Sequence, residues 1–151
     1  MDSSFVARND QERQRLHQLV GRLSEAELAT PLDAEWVVGV ALAHLAFWDR
    51  CAMVLLESWE QRGFHPAEWF DSLEIDDAAL PGWRLIPARD VLREVLAAAD
   101  DADARAARAI QLPQHLIDAI QGGGRWDLLD RSVHRKEHLD QIERALAKPE
   151  S

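Results

Sequence analysis

The stretch WVVGVALAHLAFWDR, residues 36–50, carries the clearest helical pattern in the chain. Counted from His44, large or apolar side chains recur three, four, seven and eleven positions later, at Phe47, Trp48, Cys51 and Leu55. These offsets place them on one face of a helix, because an α-helix turns once every 3.6 residues. We therefore expect a long helix over residues 36–61, with His44 on its apolar face and Gly63 as its stop signal.

The rest of the chain also favours helices, and no strand-like alternation occurs in the sequence. Residues 63–87 are predicted to form an irregular connection. A connection of this length inside a compact domain is usually functional or contains short helical turns. We expect the alanine-rich second half of the third helix, residues 100–109, to be exposed. The pattern predicts an all-α fold, a four-helix bundle with a long connection between helices 2 and 3, in one domain over residues 1–151. The predicted long helices cover residues 9–23, 36–61, 88–109 and 126–148, and a short one covers 112–121.

Composition narrows the classes of function. The chain has a formal net charge of −10 and no cluster of Lys and Arg, which argues against nucleic acid as a partner. The longest apolar run, residues 37–48, is too short to span a bilayer, so we expect no membrane association. The first residues lack a signal-peptide pattern, and one cysteine, Cys51, allows no internal disulfide. These features favour a cytoplasmic protein.

Two further histidines follow in DRSVHRKEHLDQIERAL, residues 130–146. His134 and His138 are four residues apart, so both imidazoles lie on one face of the last predicted helix. Together with His44 from a facing helix they form a set of three nitrogens. Burying such rings without a partner is costly, whereas a divalent metal binds them in their neutral form.

Alternative readings of the three histidines remain open. They could pack in the core without a metal, or the metal could be structural. A structural zinc normally has four protein ligands, and the spacing reveals no fourth ligand, which favours an open, catalytic site. The segment is not an HExxH motif, because Glu137 precedes the second histidine and is expected to face elsewhere.

These segments carry a family resemblance. The pattern of Trp36, an aliphatic run, His44 and Trp48 resembles the second helix of the DinB-like (YfiT-type) metalloenzyme superfamily. The HxxxH of residues 134–138, followed by Leu and Ile, resembles the last helix of that superfamily, which is related to the N-terminal domains of mycothiol-dependent maleylpyruvate isomerases. The resemblance spans nearly the whole chain. It implies a four-helix bundle, frequently a homodimer, with zinc or nickel bound by His44, His134 and His138.

The resemblance also implies a function. Relatives include transferases and isomerases that use a low-molecular-weight thiol, and some hydrolases. We therefore expect a metal-dependent thiol S-transferase acting on a small-molecule substrate; the alternatives are a metal-dependent hydrolase and a non-enzymatic metal-binding or stress-response protein. Candidate substrate-binding residues are Trp48, Cys51, Trp69 and Trp83. Candidates for orienting the metal-binding imidazoles are Glu137, Asp140 and Gln141.

Overall fold

Helices account for nearly all of the regular structure. The computed structural model describes residues 2–65 and 71–148, and within these ranges it contains six α-helices and no β-strand. The predicted all-α class is confirmed. The helices are α1 (Ser4–Arg22), α2 (Val38–Arg62), α3 (Ser72–Trp83), α4 (Ala88–Arg108), α5 (Gln114–Gly122) and α6 (Ser132–Ala147).

The first and last helices begin at residues other than those predicted. α1 starts earlier, at Ser4, because the Asp2 carboxylate accepts hydrogen bonds from the backbone N–H and the hydroxyl of Ser4, at 2.9 and 3.0 Å. α6 starts later: Trp126–Leu128 form a separate 3₁₀ turn. The Asp130 carboxylate then accepts the backbone N–H of Ser132 at 3.1 Å, which satisfies a free donor at the start of α6.

The long connection between α2 and α4 contains a helix of its own, α3. The Asp71 side chain accepts the backbone N–H of Leu73 at 2.9 Å and caps its first turn. Leu80 and Trp83 are buried in a small cluster with residues of α2. This packing places α3 beside the part of α2 that carries His44.

The main core is formed by α1, α2, α4 and α6, with the most extensive packing between α2 and α4. The expected exposure of the second half of α4 is wrong. Ala102, Asp103 and Ala106 are buried there, because a second core cluster formed by the start of α1, the end of α2 and α5 covers this end of α4. Small alanine side chains allow the close approach of these helices.

α2 is long and apolar enough to cross a membrane by length and composition, which the run of residues 37–48 alone did not suggest. However, 67% of its most apolar window is buried inside the protein. Burial against α4 and α6 explains its apolar character.

Candidate metal centre

Three histidines from two helices meet at one point. His44 lies in α2, and His134 and His138 lie one turn apart in α6. The Nε2 atoms of His44 and His134 are 2.8 Å apart, and the three ring centroids are 4.7–4.9 Å from one another. His44 is buried and the other two are partly buried. The structure thus brings together the three residues that the spacing and the resemblance had singled out.

The donor atoms suit a transition metal. One nitrogen of each ring lies within 4.8 Å of the other two, so the group could hold one ion. Imidazole nitrogen suits zinc and nickel, whereas calcium and magnesium prefer oxygen ligands. Among residues 2–65 and 71–148, no other protein ligand joins the group. Three protein ligands are the usual number in catalytic zinc sites, where a fourth position stays open.

The surroundings keep all three rings neutral. The pKa is lowered to about 3 at His44 and to about 2 at His134, and the pKa of His138 is lowered as well. Loss of solvation on burial is the largest cause of the lowered pKa in each case. The second cause at His44 is the charge of a protonated His138, and the second cause at His134 is the charge of the Arg131 guanidinium. Neutral imidazole is the form that binds a metal ion.

Oxygen atoms lie against the Nδ1 atoms of two of the rings. Asp76 Oδ1, from α3, is 3.2 Å from His44 Nδ1 and also accepts the Trp48 indole N–H at 2.8 Å. Gln141 Oε1 is 3.3 Å from His138 Nδ1, a contact of the kind expected if Gln141 orients a metal-binding imidazole. An oxygen acceptor at Nδ1 leaves the Nε2 lone pair available, as is usual for metal-binding histidines.

Asp76 was missed because it lies on α3, 32 residues from His44, and no sequence spacing relates the two. Burial is the main reason that its pKa is raised, and the hydrogen bond from Trp48 opposes the shift. The signal available in the sequence was its position in an acidic stretch of a long connection.

The third ring, His134, faces a cation. Arg131 Nη2 lies 3.4 Å from His134 Nδ1. The Arg131 guanidinium is almost fully buried. Its Nε donates a hydrogen bond to Asp49 Oδ1 and its Nη1 donates one to the Asp127 carbonyl, both at 2.9 Å, and these bonds hold it in place. The surroundings of His134 therefore differ from those of the other two histidines.

Arg131 belongs to a buried ion cluster, formed by Asp49, Asp103, Arg131 and Arg135. Arg135 is 1% exposed and donates two hydrogen bonds of 2.9 Å to Asp103 and one of 3.2 Å to Asp49. Burial raises the pKa of Asp103, and the hydrogen bond from Arg135 opposes that shift. This cluster was not predicted from the sequence. The available signal was the helical register of Arg135 with Leu139, four residues later and fully buried.

A cavity of about 690 Å³ opens beside the histidines. Trp48 and Cys51, two of the candidate substrate-binding residues, line it. Glu137 lines it too, which corrects the expectation that it faces elsewhere: three residues after His134, it shares that face of α6. Burial raises the pKa of the Cys51 thiol, and the nearby Arg131 only partly opposes this. The remaining lining residues are His44, Ala52, Ser72, Asp76, Arg125, Asp127, Leu128, Asp130, Arg131, Val133, His134 and His138.

Two other predicted residues, Trp83 and Asp140, lie apart from this cavity. Trp83 is buried against the His44 ring, with centroids 5.5 Å apart, and is not among the residues lining the cavity. Asp140 accepts hydrogen bonds from Arg15 of α1 at 2.7 Å and from Lys136 at 2.8 Å, so it links α6 to α1 instead of orienting a histidine. Trp69 lies outside the described residues.

Trp36, quoted above only for its place in the sequence pattern, contacts the site directly. Its ring is stacked on His138, with centroids 6.1 Å apart and planes at 15°. It also meets His44 edge-on, with centroids 4.9 Å apart. The aromatic rings of Trp36 and Trp83 thus limit the rotation of the His44 imidazole and help to fix its orientation.

Comparison with known proteins adds no further information on function. No protein-family model, curated protein or solved structure matches the chain. The three histidines, their hydrogen-bond partners and the adjoining cavity are therefore the observations from which a function can be inferred.

Proposed function

We propose that this protein is a divalent-metal-dependent enzyme, with zinc or nickel bound by His44, His134 and His138. The observation that supports this best is the meeting of three neutral imidazoles at the wall of a large cavity. Three protein ligands leave a coordination position for water or substrate. All three histidines line the cavity, so a small molecule can reach that position.

We propose further that the reaction is transfer of the sulfur of a low-molecular-weight thiol to an electrophilic carbon of a small-molecule substrate. A bound metal supplies Lewis acidity that stabilises the thiolate. The thiol gives its proton to a cavity carboxylate, for which Glu137 and Asp76 are the candidates. The sulfur then forms a bond to the carbon, and the leaving group departs with the bonding electrons. Trp48 supplies an apolar wall for the substrate.

Metal-dependent hydrolysis is the second candidate, and the position of Glu137 favours it. A carboxylate on the cavity wall can accept the proton of a water molecule that attacks an ester or amide. A non-enzymatic metal-binding or stress-response role is the third. The cavity disfavours this role, because metal storage or a structural site needs no room for a small molecule beside the ion.

The remaining features of the proposal follow the family resemblance. We propose that α1, α2, α4 and α6 form a four-helix bundle of the DinB-like type, and that the chain is a cytoplasmic homodimer. Sedimentation of the purified protein tests the dimer. Neither nucleic acid nor a membrane is part of the proposal.

Metal analysis tests the site. Wild-type protein purified without chelators and resupplied with zinc or nickel is expected to retain about one ion per chain, and His44→Ala and His138→Ala are expected to retain much less. His17→Ala is the matched control, because His17 is exposed and pairs with Asp100. Wild-type protein without stoichiometric metal would contradict the central proposal.

Conjugation assays test the reaction. Metal-loaded protein is incubated with a model electrophile and a panel of low-molecular-weight thiols, and with an ester substrate in parallel. Acceleration of thiol conjugation that is lost in His44→Ala supports the transferase. Acceleration of ester hydrolysis alone would favour the hydrolase, and acceleration of neither would favour the non-enzymatic role.

A further inference from the structure

We propose that Arg131 makes His134 the weak ligand of the three histidines and thereby sets the metal affinity of the site. This inference rests on the proposed metal site. It follows from which atoms donate and which accept the hydrogen bonds around the three rings. The presence of three histidines does not by itself determine these directions.

Arg131 determines which nitrogen of His134 carries the proton. A guanidinium group donates hydrogen bonds and accepts none. The Arg131 side chain cannot turn away, since Asp49 and the Asp127 carbonyl bind its other nitrogens at 2.9 Å. His134 Nδ1, 3.4 Å from Arg131 Nη2, must therefore be the acceptor. The proton of the neutral His134 ring then lies on Nε2.

The remaining contacts agree with this assignment. His134 Nε2 lies 2.8 Å from His44 Nε2 and donates its hydrogen to it. His44 must then carry its own proton on Nδ1, which faces Asp76 Oδ1 at 3.2 Å. Each N–H in this chain of contacts meets an acceptor, and each lone pair meets a donor. Reversing any one bond would leave two donors or two acceptors facing each other.

The consequence is an unequal set of ligands. His44 and His138 have oxygen partners at Nδ1, so each carries a lone pair on Nε2 with which a metal ion can be bound. At His44 this lone pair accepts the hydrogen of His134 and becomes available once that hydrogen bond breaks. His134 must first lose the Nε2 proton. Moving it to Nδ1 would point an N–H at the Arg131 guanidinium and break the existing hydrogen bond. Arg131 therefore opposes metal binding at His134, whereas oxygen partners promote it at the other two rings.

Nitrogen NMR of the metal-free, full-length protein tests the assignment without any substitution. Chemical shifts and couplings of the ring nitrogens distinguish the two neutral forms of histidine. We expect the Nε2–H form at His134 and the Nδ1–H form at His44 and His138. The Nδ1–H form at His134 would overturn the inference, whether or not the protein binds metal.

Zinc affinity tests the consequence. Dissociation constants for Zn²⁺ are measured by competition with a chromophoric chelator for wild type, Arg131→Gln and Arg131→Lys. Gln offers a carbonyl oxygen at Nδ1, so we expect about tenfold or more tighter binding, the usual scale for such outer partners. Lys keeps a positive donor, so its affinity is expected to stay near that of wild type.

Arg125→Gln is the matched control, because Arg125 lines the same cavity and pairs with Asp127. The substitution removes the same charge from the cavity and leaves Arg131 in place at His134 Nδ1, so we expect no gain in affinity. If zinc binds to the wild type and a folded Arg131→Gln variant shows no gain in zinc affinity, this inference is overturned and the proposed metal function stands. Absence of zinc binding in both proteins would overturn the proposed metal function and the affinity claim together.

Discussion

The Nε2 atoms of His44 and His134 lie 2.8 Å apart, although the two residues are 90 positions apart in the chain. Two bare lone pairs repel each other at this distance, so one ring donates a hydrogen to the other. A tetrahedral metal ion at about 2.0–2.1 Å from each nitrogen would hold them about 3.3 Å apart. For a metal ion to bind both nitrogens, the hydrogen between them would have to leave Nε2 of its ring, and the two rings would have to move slightly apart.

Zinc is expected to stabilise the protein against heat. At a free zinc concentration 100 times the dissociation constant, binding adds about 2.7 kcal/mol to the free energy of unfolding. For a chain of this size that corresponds to an increase in Tm of roughly 5–10 °C. Differential scanning calorimetry after chelator treatment, with and without zinc, measures it. His44→Ala is expected to lose the increase and His17→Ala to keep it; an equal increase in both would contradict metal binding at this site.

Replacing Asp76 is expected to weaken the metal site from a distance. Asp76→Ala removes the carboxylate that accepts hydrogen bonds from His44 Nδ1 and Trp48 Nε1. Such outer partners typically change metal affinity by about 10- to 100-fold. Competition with a chromophoric chelator measures the zinc dissociation constant. Asp77→Ala is the control, since Asp77 is the exposed neighbour on α3, and equal affinities in the two variants would refute the role of Asp76.

Most of the helices could be predicted because amphipathic periodicity depends on local spacing alone. α3 could not be predicted, because its sequence resembles that of an irregular segment. It has Pro81 and Gly82 near its end and acidic residues on its exposed face. The second half of α4 was wrongly expected to be exposed. A segment rich in alanine and charged residues is compatible both with an exposed surface and with a close contact between helices. Its burial here depends on the packing of α5 and α1, which the sequence pattern does not show.

The candidate site, too, could be predicted only in part from the sequence. The four-residue spacing of His134 and His138 predicts a shared face, the apolar stripe of α2 pointed to His44, and the family resemblance then implied the same three residues. Asp76 and Arg131 could not be predicted as their partners, because these contacts depend on how α3 and the start of α6 dock against α2. Long-range pairing of this kind leaves no periodic trace in a single sequence.

The buried ion cluster is expected to be costly to break. Arg135→Met leaves Asp103 without its two hydrogen bonds of 2.9 Å in a buried site. Removing one partner of a buried ion pair typically lowers the free energy of unfolding by about 3–5 kcal/mol. Urea denaturation measures the change. Arg93→Met is the control, because Arg93 is exposed and pairs with the partly exposed Asp90, and its effect is expected to stay below about 0.5 kcal/mol. Similar effects of the two substitutions would rule out a structural role for the cluster.

The contact between Asp130 and Arg8 is expected to stabilise the protein only above strongly acid pH. Burial favours a higher pKa for Asp130, but hydrogen bonds from Ser132 and Arg8 outweigh it, so the pKa lies below its ordinary 3.8. The stabilisation is therefore complete above pH 3.8 and is lost as the pH falls through the lower, folded-state value. Asp130→Asn should lower the free energy of unfolding by about 1 kcal/mol at pH 6. In urea denaturation this difference should shrink towards pH 3; a constant difference would contradict the assignment.

Cys51 is expected to be a cavity wall and not a nucleophile. Burial raises the pKa of its thiol, and Arg131 only partly opposes this, so little thiolate exists at neutral pH. Alkylation by iodoacetamide should be slower than that of glutathione at pH 7 and should accelerate only at strongly alkaline pH. Mass spectrometry of the intact protein follows the reaction. Cys51→Ala should retain zinc binding and any thiol-transfer activity. Alkylation as fast as that of glutathione, together with loss of activity in Cys51→Ala, would instead make Cys51 a reacting group of the enzyme.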